Sequence, residues 1–263
     1  MTAAGVNLRA AEKGFTPPGP ADFELPPIFA DVTKPMVLLV LSAVLIFGVT
    51  YAMSRKAAIV PGKLQFAGEH VYGFVRNGIA RDSIGSEHYM RFVPYLFSLF
   101  LFVLVNNYYG LVPLLQFPTF SRIGYVYGLA ALTWIIYNAV GIKKHGFGGY
   151  LKLQCLPPGV TGPILGLIVP LEFMSNLLVR PVTLALRLFA NMFAGHLLLI
   201  LFTLGGEYLL LHSGNLAYAP VGVVALILAV AISFLEALIM FLQAYVFTLL
   251  TAMYIGGALA DEH

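Results

Sequence analysis

The chain has 263 residues, of which 59% are hydrophobic and only 10% charged, against roughly a quarter charged in ordinary soluble domains. So little charge cannot cover a soluble surface, twenty Phe and fourteen Tyr argue against a disordered chain, and one Cys excludes a disulfide framework or a cysteine-based zinc site. The formal net charge of +3 is scattered along loops instead of forming a basic face, so it reports orientation in a membrane and no nucleic-acid partner.

Residues 1–35 form a polar lead with six prolines, Pro17, Pro18, Pro20, Pro26, Pro27 and Pro35, and without the pattern of a secretory signal peptide. A single membrane domain follows over 36–263. Its first span is expected over 36–54, ending before Arg55 and Lys56, where the apolar run is long enough to cross. Leu64, Ala67, Val71, Phe74, Val75 and Ile79 then recur at helical spacing and predict an amphipathic surface helix. Further spans are expected over 92–113 and 123–142, and Lys143, Lys144 and Lys152 with Pro157, Pro158 and Gly159 read as the next loop.

The last two apolar stretches, 163–211 and 219–257, are too long to stand upright. As continuous helix the first would reach about 73 Å, against a hydrocarbon core of about 30 Å. The apolar part of the second, Val221 to Ile255, would reach about 52 Å and need a tilt of roughly 55°, where about 20° is average. The expected architecture is therefore an all-α integral membrane protein of about five transmembrane segments plus one amphipathic helix, ending in a long, strongly tilted helical hairpin. Arg55, Lys56, Lys63, Arg76, Arg81 and Arg91 lie in one loop and three lysines in the 143–160 loop, whereas the opposite loops carry Arg122 alone. The positive-inside rule then puts the N-terminus outside and the C-terminus in the cytoplasm.

Glu172, Arg180, Arg187 and His196 lie within the fourth stretch, and a mid-helix Arg costs about 2.5 to 3.5 kcal/mol even on the lenient insertion scale. On a continuous α-helix with Glu172 at zero, Thr183, Asn176, Arg187, Arg180 and Asn191 fall within one face about 100° wide, while His196 looks elsewhere. On the fifth stretch Glu236, Gln243 and Tyr254 share a stripe, with Ser233 about 60° away. Two such helices can pair their polar faces or offer them to a partner outside this chain.

Plainer roles fit some of these residues. Arg180 beside Pro181 also suits a snorkelling or capping residue, Glu207 and His212 suit solvated surface, and Asn106, Asn107, Asn138 and Gln243 suit ordinary interhelical hydrogen bonds. Arg187 is flanked by apolar residues, and a guanidinium keeps its proton, so it cannot relay protons. It can repel one and hold a carboxylate ionised, with about 4 kcal/mol of attraction at 4 Å in an effective dielectric of 20. Glu172, Glu236 and His196 can exchange protons. The set reads as two proton-handling patches separated by a fixed positive charge.

RPVTLALRLFANMFAGHLL at 180–198 and LEALIMFLQAYVFTLLTAMY at 235–254, supported by PGKLQ at 61–65 and NNYYGLVP at 106–113, resemble subunit a of the F-type rotary ATP synthases. The resemblance covers nearly everything after residue 35. It implies a non-catalytic stator, one copy per complex, that supplies two offset half-channels to the carboxylates of a rotating c-ring and meets the peripheral-stalk b-type subunits, the bilayer and, indirectly, the F1 sector. Arg187 matches the family's essential arginine and implied proton gate. Asn191 and Gln243 match polar positions near it. His196 and Glu236 match an outer half-channel pair, in an order exchanged relative to many bacterial members. Glu172, with Asn176, matches the inner half-channel, at a spacing to Arg187 one residue longer than usual. Asn107, Ser233, Tyr254 and Arg180 are lining positions. No cofactor or metal is implied, and the expected location is a bacterial plasma membrane, with an organellar energy-transducing membrane as the alternative.

Two other classes fit less well. A free-standing transporter predicts inverted repeats with matched interrupted helices, and the polar residues crowd instead into the last two stretches. An intramembrane enzyme needs a nucleophile with its base or a metal cluster, and neither HExxH, GxSxG nor a Walker loop is present.

Overall fold

The structure is a computed structural model that describes residues 15, 17–19, 32–55, 62–112, 115–156, 165–213 and 216–260. Most of the Pro-rich lead, and the three residues after Ala260, lie outside this set. Among the described residues, five helical stretches are long and apolar enough to cross a membrane, and the chain is an all-α, multi-pass membrane protein.

Helix α1 spans Lys34–Arg55. Val40, Val44 and Phe47 lie exposed along it, as expected for a helix whose partner is lipid. Its first half is tied to the rest of the chain: Lys34 Nζ donates to the Leu115 carbonyl, and Ser42 accepts a 2.9 Å bond from Asn106. Helix α2, Lys63–Val75, passes into a π-helical turn, Arg76–Arg81, and one further turn, Asp82–Ile84. The amphipathic helix is therefore present, but its apolar side docks on protein. Val75, Ile79 and Ala80 are fully buried, and Phe74 stacks near Phe100, Phe241 and Tyr245.

Helix α3, Tyr89–Tyr108, begins a turn earlier and ends a turn sooner than the expected span. Helix α4, Ile123–Cys155, runs through what the sequence suggested was a loop. Lys143, Lys144 and Lys152 of the expected loop lie within this helix, whereas Pro157, Pro158 and Gly159 lie outside the described residues; the break falls at Gly146, whose φ of 72° and ψ of 166° only glycine adopts without strain. The limb after Gly146 folds back until the Tyr150 ring lies over Gly141. A Cβ at Gly141 would sit 2.1 Å from that ring, so the approach requires a residue without one.

The fourth stretch is not one helix. Helix α5, Leu165–Met174, gives way to a π-helical turn, Ser175–Val179, and then to α6, Arg180–Leu211. Helix α7, Ala219–Leu259, completes a hairpin with α6. Glycine again sets the approach: a Cβ on Gly222 would lie 3.1 Å from the Gly206 carbonyl oxygen. With 32 and 41 residues these helices reach about 48 and 61 Å, far beyond a 30 Å core, which supports the slanted hairpin. Leu96, Phe100, Leu188, Met240 and Phe247, all essentially inaccessible, form the core where α3, α6 and α7 meet.

Candidate functional site

Arg187 lies near the midpoint of the apolar stretch Gly166–Leu211, and its side chain is exposed on the outside of the bundle. Thr183, Ala190, Asn191 and Ala194 are exposed on the same flank of α6, whereas Leu184, Leu188 and Met192 point into the core. A permanent charge facing hydrocarbon is costly, so this strip of small and polar residues has the character of a face covered by another protein. Asn191, one turn after the arginine, donates a 2.8 Å hydrogen bond from Nδ2 to Gln243 Oε1 on α7. Gln243 itself is buried.

The stripe of α7 behaves differently from that of α6. Glu236, Met240, Gln243 and Phe247 are all buried, so α7 turns its polar side inward. Glu236 and His196, only 2% and 5% exposed, face each other with Nδ1 and Oε1 3.8 Å apart. That separation suits an ion pair more than a direct hydrogen bond. Gly195 leaves room beside the acid: a Cβ there would meet Glu236 Oε1 at 3.5 Å. The helical wheel had turned His196 away from the polar face of α6, and the direction it takes is toward α7. Asn107, fully buried on α3, donates to the Met240 carbonyl at 3.2 Å, and Tyr108 Oη donates to the Ala237 carbonyl at 3.1 Å. These bonds fix α7 at the level of the acid. Ser233 spends its hydroxyl on the Val230 carbonyl of its own helix, 2.7 Å away.

On the other side of Arg187 a second polar group is built from α4 and the π turn. Asn176 Nδ2 donates to Glu172 Oε2 at 3.0 Å and to the Gln154 carbonyl at 2.6 Å. Gln154 Nε2 donates to Tyr150 Oη at 2.9 Å, and Tyr150 donates to Asn138 Oδ1 at 3.0 Å. Trp134 Nε1 takes the Leu177 carbonyl at 2.9 Å, satisfying a backbone group of the π turn from outside its own helix. The Arg180 guanidinium lies 5.4 Å from the Tyr254 ring centroid, a cation–π contact that holds α6 against the end of α7. Sequence reasoning missed Tyr150 and Gln154. Their signal was the cluster Gly146, Gly148 and Gly149 before two polar residues four apart, which marks a broken helix with one polar side.

The π turn also corrects the single continuous wheel. Each residue in a π turn advances by about 80° against 100° in an α-helix, so five such residues retard the phase by roughly 90°. On that count Glu172, Asn176, Arg180, Arg187 and Asn191 fall within about 40° of each other, a narrower stripe than the wheel gave. A π turn holds one residue more than the α-helix it interrupts, and this one lies between Glu172 and Arg187.

Residues 36–256 match the family model described as ATP synthase A chain. Among curated proteins, the chain is 61% identical to ATP synthase subunit a of a Nocardioides species, with all of both chains covered. It is 51% identical to that of Pseudarthrobacter chlorophenolicus, covering 97% of this chain and 98% of the relative, and 42% identical to that of Streptomyces lividans, covering 95% and 90%. By the extent of that match and these identities, the chain belongs to the ATP synthase subunit a family.

Proposed function

We propose that this chain is the proton-channel stator of the ATP synthase membrane sector, a non-catalytic subunit with Arg187 as its gate. The observation that carries the reading is an arginine exposed at the middle of a membrane stretch, on a strip of small and polar residues. A ring of subunits bearing mid-membrane carboxylates is the partner that would repay this exposure. As each carboxylate arrived, the guanidinium would hold it ionised, and it would repel any proton moving directly between the two sides.

Protons would reach the ring from one side past His196 and Glu236, and leave on the other past Glu172 and Asn176. His196 and Glu172 lie on opposite sides of Arg187 along the chain, about 13 Å and 22 Å away at the helical rise. Asn191 and Gln243 would brace the gate, with Asn107, Ser233, Tyr254 and Arg180 lining its surroundings. The basic residues gather where α1 ends, α3 begins and α4 folds back, which supports a cytoplasmic C-terminus and an outer N-terminus in a bacterial plasma membrane. The Pro-rich lead over 1–35 would then stand outside, before one membrane domain over 36–263. Peripheral-stalk b-type subunits and, through them, the F1 sector complete the proposed partners.

The test compares ATP-driven acidification of inverted vesicles for the native complex and Arg187→Ala, with ring and soluble head co-purified in both. Pumping is expected to vanish while assembly persists, with an added passive proton leak. Pumping that survives in an assembled complex removes Arg187 from the gate.

A further inference from the structure

Away from this path, a cavity of about 590 Å³ opens where α3 begins, the first limb of α4 ends and α7 terminates. It is lined by Glu87, His88, Arg91, Lys143, Lys144 and the apolar Met90, Phe92, Val140 and Leu259. Three cations thus face one carboxylate, and Glu87 lies 3.9 Å from His88. Lys144 also donates to the Leu259 carbonyl, which fixes one wall. The cavity lies at the start of α3, just before the bend of α4 and at the end of α7, where apolar candidate spans give way to basic residues.

From this placement we infer that the cavity binds the phosphate of an anionic phospholipid, a site that deepens no part of the proton path and does not rest on it. A phosphodiester would lie among Arg91, Lys143 and Lys144, where the guanidinium offers a bidentate fork and the lysines compact charge. The acyl chains have a track as well. Leu132, Ile136, Ala139 and Lys143 follow one another at helical spacing along α4; Leu132 is 51% exposed, Ala139 is exposed and Ile136 half-buried, so a greasy stripe leads to the cationic end. A soluble phosphate would use the cations and leave that stripe idle. Basic pockets between membrane helices on the cytoplasmic side are a recurring setting for anionic headgroups.

The test uses the assembled complex in phosphatidylcholine vesicles carrying a trace of phosphatidylglycerol or phosphatidylcholine with a photoreactive tail, and maps adducts by mass spectrometry. Phosphatidylglycerol is expected to label residues 132–142 well above phosphatidylcholine, and excess inorganic phosphate to leave that labelling unchanged. Each cation near a headgroup contributes roughly a fivefold factor, so Arg91→Gln with Lys143→Gln is expected to weaken phosphatidylglycerol binding about thirtyfold. Lys144 is kept because it holds α7. Should the double variant fail to assemble, Glu87→Gln serves, and removing that carboxylate is expected to raise labelling about fivefold. Equal labelling by both lipids, no response to either variant, displacement by phosphate, or absence of adducts because a stalk helix fills the cavity would each overturn the inference.

Discussion

The two polar groups flanking Arg187 are built on opposite plans. One is a single buried pair, His196 and Glu236, held between two packed helices with bonds from Asn107 and Tyr108 fixing the backbone beside it. The other is an extended chain of hydrogen bonds, running from the half-buried Glu172, Asn176 and Gln154 to the buried Tyr150 and Asn138. On the proposed proton path the pair would offer a single route, so each member would be indispensable, while on the other side Glu172 sits at the end of a wider network of hydrogen bonds. The difference teaches where sequence change is tolerated: little at the pair, more along the chain.

The sharpest way to break this comparison is Glu236→Gln. Losing a positioned proton-exchanging group is expected to lower ATP-driven vesicle acidification about 100-fold or more. The exchanged double variant His196→Glu with Glu236→His is expected to recover at least tenfold over either single change, because the pair needs one acid and one imidazole at that contact and not a fixed order. Next comes Gly141→Ala, which drives a methyl into the Tyr150 ring and should destabilise the folded-back limb by about 1 to 3 kcal/mol. Amide hydrogen exchange over residues 147–155 in the assembled complex would read this as faster local opening. Glu172→Gln, on the dispersed side, is expected to lower acidification only about tenfold, below the usual contribution of a single positioned proton-exchanging group. A loss as deep as that of Glu236→Gln would erase the contrast. The smallest effect is that of Tyr150→Phe, which removes one hydroxyl linking Gln154 and Asn138 and should cost about 1 kcal/mol in the same exchange measurement.

The His196–Glu236 pair was legible in the sequence and the Glu172 network only in part. Hydropathy marks helices by the removal of apolar side chains from water, so every crossing and the overlong hairpin could be read from composition and length. Glu236 and His196 stood out because an acid and an imidazole inside apolar runs are too costly to be incidental. Tyr150 and Gln154 did not, since both sit past a lysine pair in a stretch rich in glycine, where a folded-back helix and a loop have the same composition. The docking of α2 on α3 and α7 was likewise hidden: an apolar stripe has the same spacing whether lipid or Phe100 covers it. The π turn leaves no mark in hydrophobic periodicity over so short a length, and only the phase of the residues on either side of it records its presence.

That turn has a consequence for how the chain can vary. Deleting one residue within Ser175–Val179 would restore ordinary α-helical winding, swinging α5 and Glu172 through roughly a quarter of a circle while α6 keeps its place against α7. Within the membrane stretch Gly166–Leu211 this is the joint at which a change of length is absorbed before it reaches Arg187. The membrane stretch can thus be lengthened or shortened by a single codon on the Glu172 side of Arg187 without moving the strip of α6 that carries the arginine.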